Sequence, residues 1–171
     1  MYQVYLGIGS NLGDRLQNLA RAIEEIGAIA SIHSISSIYE TEPVGIENTG
    51  NFLNMVVSIT TPDDPPLLLV HLKSIERKLG RKHPSHNESR LIDIDVLLYR
   101  GFAYEDPTIK VPHPRLEYRR FALEPLNEIA PTAVHPTLEK TVAVLLRNCR
   151  DRHHVTQTEH TLTLQAMNEH L

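Results

Sequence analysis

The sequence predicts an α+β fold: a ferredoxin-like antiparallel sheet with its crossover helices on one face. Three observations predict it. Short alternating segments and amphipathic stretches follow the order strand, helix, strand, strand, helix, strand. Both helical stretches fall at crossover positions and carry a single apolar stripe. Finally, 171 residues with 41% hydrophobic and 22% charged side chains, no recurring unit and no linker-like stretch suit one packed core.

Residues 1–9 open the chain as a strand, because Val4, Leu6 and Ile8 alternate with Tyr5, Gly7 and Gly9. Leu16, Leu19, Ala20, Ile23 and Ile26 then follow helical spacing, with a start near Asn11, Asp14 in the first turn and a stop at Gly27. Ser10 or Asn11 is the expected cap. A second strand is expected over residues 31–39 and a third over 52–60, the latter bounded by Thr49-Gly50 and by Asp63-Asp64-Pro65-Pro66. Those last four residues are helix-start chemistry, and Leu68, Leu72, Ile75 and Leu79 continue it as an apolar stripe ending at Gly80. Residues 93–99 form a fourth strand. Past Val111, helices are expected near 116–129 and 138–150, where they could cover the second sheet face. Residues 1–150 are thus the expected domain. Residues 151–171, polar with a short Thr-Leu-Thr-Leu alternation, read as a weakly ordered tail or an edge strand.

A net charge of −4 and a pI near 6.2 argue against a surface devoted to nucleic acid. The apolar cluster around Leu67 to Leu72 is far shorter than the ~18 residues a membrane helix needs, and no leader-like pattern opens the chain. The expectation is a soluble, cytoplasmic monomer that meets small molecules and neither nucleic acid nor membrane. Cys149, the single cysteine, cannot form an internal disulfide or a zinc ribbon, and reads as a small buried hydrophobe.

Side-chain alternation also predicts where chemistry sits. On the third strand Leu53, Met55, Val57 and Ile59 share one face, and Phe52 and Asn54 the other. On the fourth, Ile94, Val96 and Leu98 share the apolar face, leaving Asp93 and Asp95 together opposite. The apolar faces belong under the helices. Phe52, Asn54, both acids and the first-strand glycines should therefore look out from the other face.

Two carboxylates at i and i+2 stand ~6 to 7 Å apart along a strand, which suits hard cations, with magnesium the natural occupant; a pair of exposed edge-strand acids is the alternative. Arg77, Lys78, Arg81, Lys82, His83, His86 and Arg90 crowd the connection just before them, and His113, Arg115, Arg119 and Arg120 follow. Cations flanking an acid pair in an acidic chain suggest magnesium-bound polyphosphate, the acids on the metal and the guanidinium forks on phosphate oxygens. No Walker A loop occurs, and Gly7-Ile8-Gly9-Ser10-Asn11-Leu12 places Leu12 where the dinucleotide fingerprint needs its third glycine. The glycines instead suit close backbone approach or a tight turn. A ferredoxin-like RNA-binding module stays open as a rival, although it lacks a KGFGFVxF-like aromatic run and leaves the acid pair unexplained.

Four blocks, YLGIGSNLGDR, YETEPVG with NFLN, ERKLGR with SRLIDIDVLLY, and VPHPRLEYRRFALEPLNEIAP, occur in order across roughly residues 2 to 131. In these the chain resembles the 6-hydroxymethyl-7,8-dihydropterin pyrophosphokinase family of folate biosynthesis. The resemblance implies a three-layer αβα sandwich built on the ferredoxin-like sheet. It implies transfer of the terminal diphosphate of ATP to the pterin hydroxymethyl group, with release of AMP. By the same resemblance, Asp93 and Asp95 hold two magnesium ions, Arg81 and Arg90 are the catalytic arginines of a closing loop, and Glu76, His113 and Arg119 serve the nucleotide. The implied pterin site comprises Thr41, Pro43, Val44 and Gly45 from one loop, Phe52 and Phe121 as aromatic walls, and Asn54 as the amide reading the heterocycle's edge. The chain departs from the family pattern at Glu88, where a small residue is usual, and at Pro114, where an aromatic is frequent. A homologue that binds pterin without transfer is the remaining alternative.

Overall fold

The structure is a computed structural model that describes residues 1–45, 49–80 and 90–162. The chain runs β1 (Tyr2–Ser10), α1 (Arg15–Ile29), β2 (Ser31–Ile35), β3 (Tyr39–Thr41), β4 (Phe52–Thr61), α2 (Pro65–Lys78) and β5 (Asp93–Tyr99). It continues with a hairpin of β6 (Tyr104–Glu105) and β7 (Lys110–Val111), a 3-10 turn (Leu116–Tyr118) and α3 (Arg120–Ile129). A second hairpin, β8 (Val134–His135) and β9 (Lys140–Thr141), leads to α4 (Val142–Asn148) and finally β10 (Val155–Gln157). Among the described residues the main sheet has the order β10-β3-β4-β1-β5, with β2 also beside β4, and neighbouring strands are antiparallel.

This is the ferredoxin-like order, with β2 and β3 together forming its second strand. Val4, Leu6, Ile8, Met55, Val57 and Ile94 pack on one face against Leu19, Ile23 and Ile26 of α1 and Leu68, Leu72 and Ile75 of α2. Each fully buried Leu or Ile of this kind contributes about 1.5–3 kcal/mol of transfer free energy. On the opposite face Tyr5, Val56, Leu97 and Leu98 meet Leu123 and Leu126 of α3 and Leu145 and Cys149 at α4. The result is the expected three-layer sandwich, but α3 and α4 cover only part of this second face. Among the described residues no helix is long and apolar enough to cross a membrane.

Local differences from the sequence reading have physical causes. Asp14, rather than Ser10 or Asn11, caps α1 by accepting from Gln17 N at 3.0 Å, and the helix runs through Gly27. Packing of Ile26 outweighs the roughly 1 kcal/mol that an interior glycine costs. Asp64 and Pro65 do start α2, and Gly80 follows its end at φ 102°. The strand expected over 31–39 is interrupted at residues 36–38, where Ser36 bonds Val56 through both its backbone N–H and its hydroxyl. A register shift between β1 and β5 breaks the alternation after Val96, so Leu98 joins Leu97 in the second layer rather than the helix-covered face. The helix expected over 138–150 is shorter, because residues 134–141 form a hairpin first. Beyond residue 150 the edge strand is Val155–Gln157; the Thr-Leu-Thr-Leu alternation runs past residue 162, outside the described residues.

Candidate active site

The site begins with strand register. Asp93 of β5 pairs with Gly9 of β1, and Gly9 pairs with Asn54 of β4, so one ladder row carries an acid, a bare backbone and an amide. Asp95 lies opposite Gly7 in the next row on the same face. Two ladder steps separate the Asp93 and Asn54 backbones by about 10 Å, which leaves room for a phosphate chain or a heterocycle between their side chains. Gly9 keeps that room open: a Cβ there would stand 2.5 Å from Asn54 Oδ1. The amide lies over the glycine, and its Nδ2 donates to Thr41 Oγ1 at 2.6 Å.

These residues line one cleft of about 500 Å³. Thr41, Val44 and Gly45 form one wall and Phe52 and Phe121 contribute aromatic surface. Asp93, Asp95, Arg90, His113 and Arg119 form the charged end. Gly45 takes a left-handed turn at φ 72°, which lets the loop bend past the pocket. The acids at one end and the amide at the other thus share a single open face.

The charged end is internally paired. Arg90 Nη1 donates to Asp93 Oδ2 at 2.5 Å, and Arg119 Nη1 donates to Asp95 Oδ2 at 2.9 Å. Asn11 fixes Arg90 by accepting its N–H at Oδ1 and donating its own N–H to the Arg90 carbonyl. Arg119 also lies over the Phe121 ring, 5.4 Å from its centroid, linking the charged end to the aromatic wall. Burial, reinforced by the Arg119 charge, lowers His113 to about 4, so its ring is neutral at pH 7. Its Nδ1 accepts from Arg115 N at 3.2 Å, which places the ring proton on Nε2.

Not every expected residue reaches the cleft. Glu76 is buried in the helix layer, where Oε1 accepts from Ile94 N and Oε2 from Lys73 Nζ, both at 2.8 Å. It grips the peptide between the two aspartates from behind. Pro43 is half-buried beside the wall without lining it. Arg120 turns away to Glu124, and Lys78 pairs with Glu25 on α1. Arg81 and Glu88 lie outside the described residues. The cleft also includes Glu42, Lys73, Arg115 and Tyr118. The Arg115 position was legible as part of the second basic run. Lys73 and Tyr118 carry no local signal, since their roles depend on how α2 and the 3-10 turn meet β5.

The donor set fits magnesium that arrives with phosphate. Among the described residues no cluster of three or more His, Cys, Asp or Glu side chains could hold a metal alone. Two carboxylates on an open face, completed by water and substrate phosphate oxygens, are the usual magnesium environment.

Comparison with known proteins gives the site a context. Residues 5–131 match the sequence model of 7,8-dihydro-6-hydroxymethylpterin-pyrophosphokinase. The chain is 44% identical over 140 residues to 2-amino-4-hydroxy-6-hydroxymethyldihydropteridine pyrophosphokinase of Aquifex aeolicus, covering 82% of this chain and 88% of that protein. It is 42% identical over 127 residues to the Bacillus subtilis protein of the same name, covering 73% and 76%. Among solved structures, an HPPK-DHPS of Plasmodium falciparum superposes with a TM-score of 0.72 at 17% identity, which speaks to fold alone. That match covers 85% of this chain and 45% of the larger one.

Proposed function

The chain belongs to the 7,8-dihydro-6-hydroxymethylpterin-pyrophosphokinase family, an enzyme moving the diphosphate of ATP onto the pterin hydroxymethyl group in folate synthesis, and we propose that this cleft performs the transfer. One observation carries the assignment: Asp93 and Asp95 share an open sheet face with Asn54 and Phe52 across Gly9.

Asp93 and Asp95 would hold two magnesium ions. When bound, these supply positive charge against the phosphate oxygens and the charge that develops during transfer. Arg90 and Arg119 each place a guanidinium beside one of the two carboxylates, where it can meet the phosphate that arrives with the metal. His113, neutral and protonated at Nε2, donates a hydrogen bond without adding charge. Phe52 and Phe121 enclose a flat ring, and the Asn54 amide, oriented by Thr41, reads its polar edge. Thr41, Pro43, Val44 and Gly45 shape that end, and Glu76 acts on the nucleotide end only indirectly, by holding the Ile94 peptide between the two aspartates. Arg81 acts with Arg90 on the transferring group. No side chain need act as base, because positioning and charge supply most of the catalysis in phosphoryl transfer.

On this reading residues 1–150 form the pyrophosphokinase domain, with residues 151–171 appended to it. The protein works as a cytoplasmic monomer on small molecules, with no nucleic-acid or membrane partner; the net charge of −4 supports the exclusion of nucleic acid. The test is AMP formation from ATP and the hydroxymethyl pterin. Asp95→Ala should reduce magnesium-dependent turnover by at least ~100-fold with an unchanged circular-dichroism spectrum. Wild-type rates in that variant would remove the acid pair from the mechanism.

A further inference from the structure

We propose that the C-terminal strand β10 is a positioning element for the pterin end of the cleft, an inference that rests on the assignment above. The family match ends at residue 131, yet the chain returns at residues 154–158 to the strand that enters the site. Val155, Thr156 and Gln157 pair with Thr41, Glu40 and Tyr39 of β3. His154 extends the ladder: its carbonyl accepts from Glu42 N at 3.2 Å, and its N–H donates to Glu42 Oε2 at 3.0 Å. At the far end, Thr158 donates through N and Oγ1 to Ile38 O, at 2.8 and 2.9 Å.

This matters because β3 is only three residues long and would otherwise be the sheet's edge. Its first residues have an independent anchor in Glu128 of α3, which accepts from Ser37 N, Ser37 Oγ and Tyr39 Oη. The Thr41–Glu42 end, which lines the cleft, takes its outer partners from His154 and Val155. Thr41 Oγ1 in turn orients Asn54. The chain of support therefore runs from β10 through β3 to the amide, and stops short of the acids on β5.

A substrate-specific effect follows. Hydrogen-bonded pairs alternate along an antiparallel ladder, and those at 42/154 and 38/158 place Thr156 N–H on Glu40 O. Thr156→Pro deletes that donor without touching the cleft. In the full chain it should raise the KM for the pterin roughly tenfold, since small misplacements of positioning groups carry large kinetic costs. The KM for ATP should stay within about twofold, and the Glu42 amide should lose hydrogen-exchange protection. If Thr156→Pro does not fold, His154→Pro, which removes the donation to Glu42 Oε2 at the cleft end of β3, must show the same split in smaller degree. Equal changes in both KM values, or an unchanged pterin KM with faster exchange at Glu42, would make β10 a structural edge and overturn the proposal. Failure of the wild-type chain to form AMP would overturn the cleft assignment instead.

Discussion

The two faces of β1 are made from alternate residues of one strand, yet they are built on opposite principles. Val4, Leu6 and Ile8 point into the layer of α1 and α2, each no more than 1% exposed, and that face is occupied by side-chain volume. Tyr5, Gly7 and Gly9 point the other way, where Tyr5 meets the second core, Gly7 lies against the Leu97 side chain between Val56 and Asp95, and Gly9 lies between Asn54 and Asp93. On the first face, function is indifferent to which hydrocarbon fills the space provided it is filled. On the second, the absence of side chains is the functional feature, and a single methyl group is an intrusion.

Substitutions can break or sharpen this contrast. The largest effect is expected on the open face, where Arg90→Ala should lower kcat on the order of 10²- to 10³-fold while thermal unfolding barely moves. A change confined to KM would instead assign Arg90 to ground-state binding. On the filled face, Ile8→Ala should cost about 2–5 kcal/mol of stability in denaturant titrations with both KM values retained; a selective kinetic defect would blur the division between the faces. Its neighbour gives the opposite signature. Gly9→Ala pushes a Cβ against Asn54 Oδ1 and should raise the pterin KM by roughly 10- to 100-fold. In an Asn54→Ala background the same methyl should add little, and full additivity would disprove the steric link.

The smallest effect lies away from both faces of β1. Burial lowers the pKa of His135, so at mildly acidic pH the unfolded chain takes up a proton that the folded one resists. Stability should therefore fall as pH drops below the ordinary histidine value near 6.5. His135→Gln should flatten that part of the profile, and an unaltered slope would assign the acid sensitivity to other groups.

Much of this was legible because alternation is a local property. The parity of residues 4–9, 52–59 and 93–96 placed the core, the glycines, Asn54 and the acids on their faces without any long-range information. Legibility failed where geometry depends on a partner strand. The β1–β5 register shift that sends Leu98 to the second layer has no signature in either strand alone. Likewise, Arg120 looked equivalent to Arg115 in sequence, but helix α3 points it at Glu124. Glu76 was expected to serve the nucleotide by family resemblance, while the approach of α2 to β5 makes it a buried acceptor for Ile94 N. The meeting of β10 with β3 joins segments more than 110 residues apart, as in the 3.0 Å bond from His154 to Glu42, and no short window could encode it.

The overlap of Asn54 with Gly9 has a bearing on how this sequence can drift. While position 54 carries an amide folded over the neighbouring strand, position 9 has no neutral alternative, and every mutation there is screened by a residue it never touches in sequence. A lineage that first shortened residue 54 would lift that veto at the expense of substrate discrimination. The order in which the two sites change would then decide which intermediates survive.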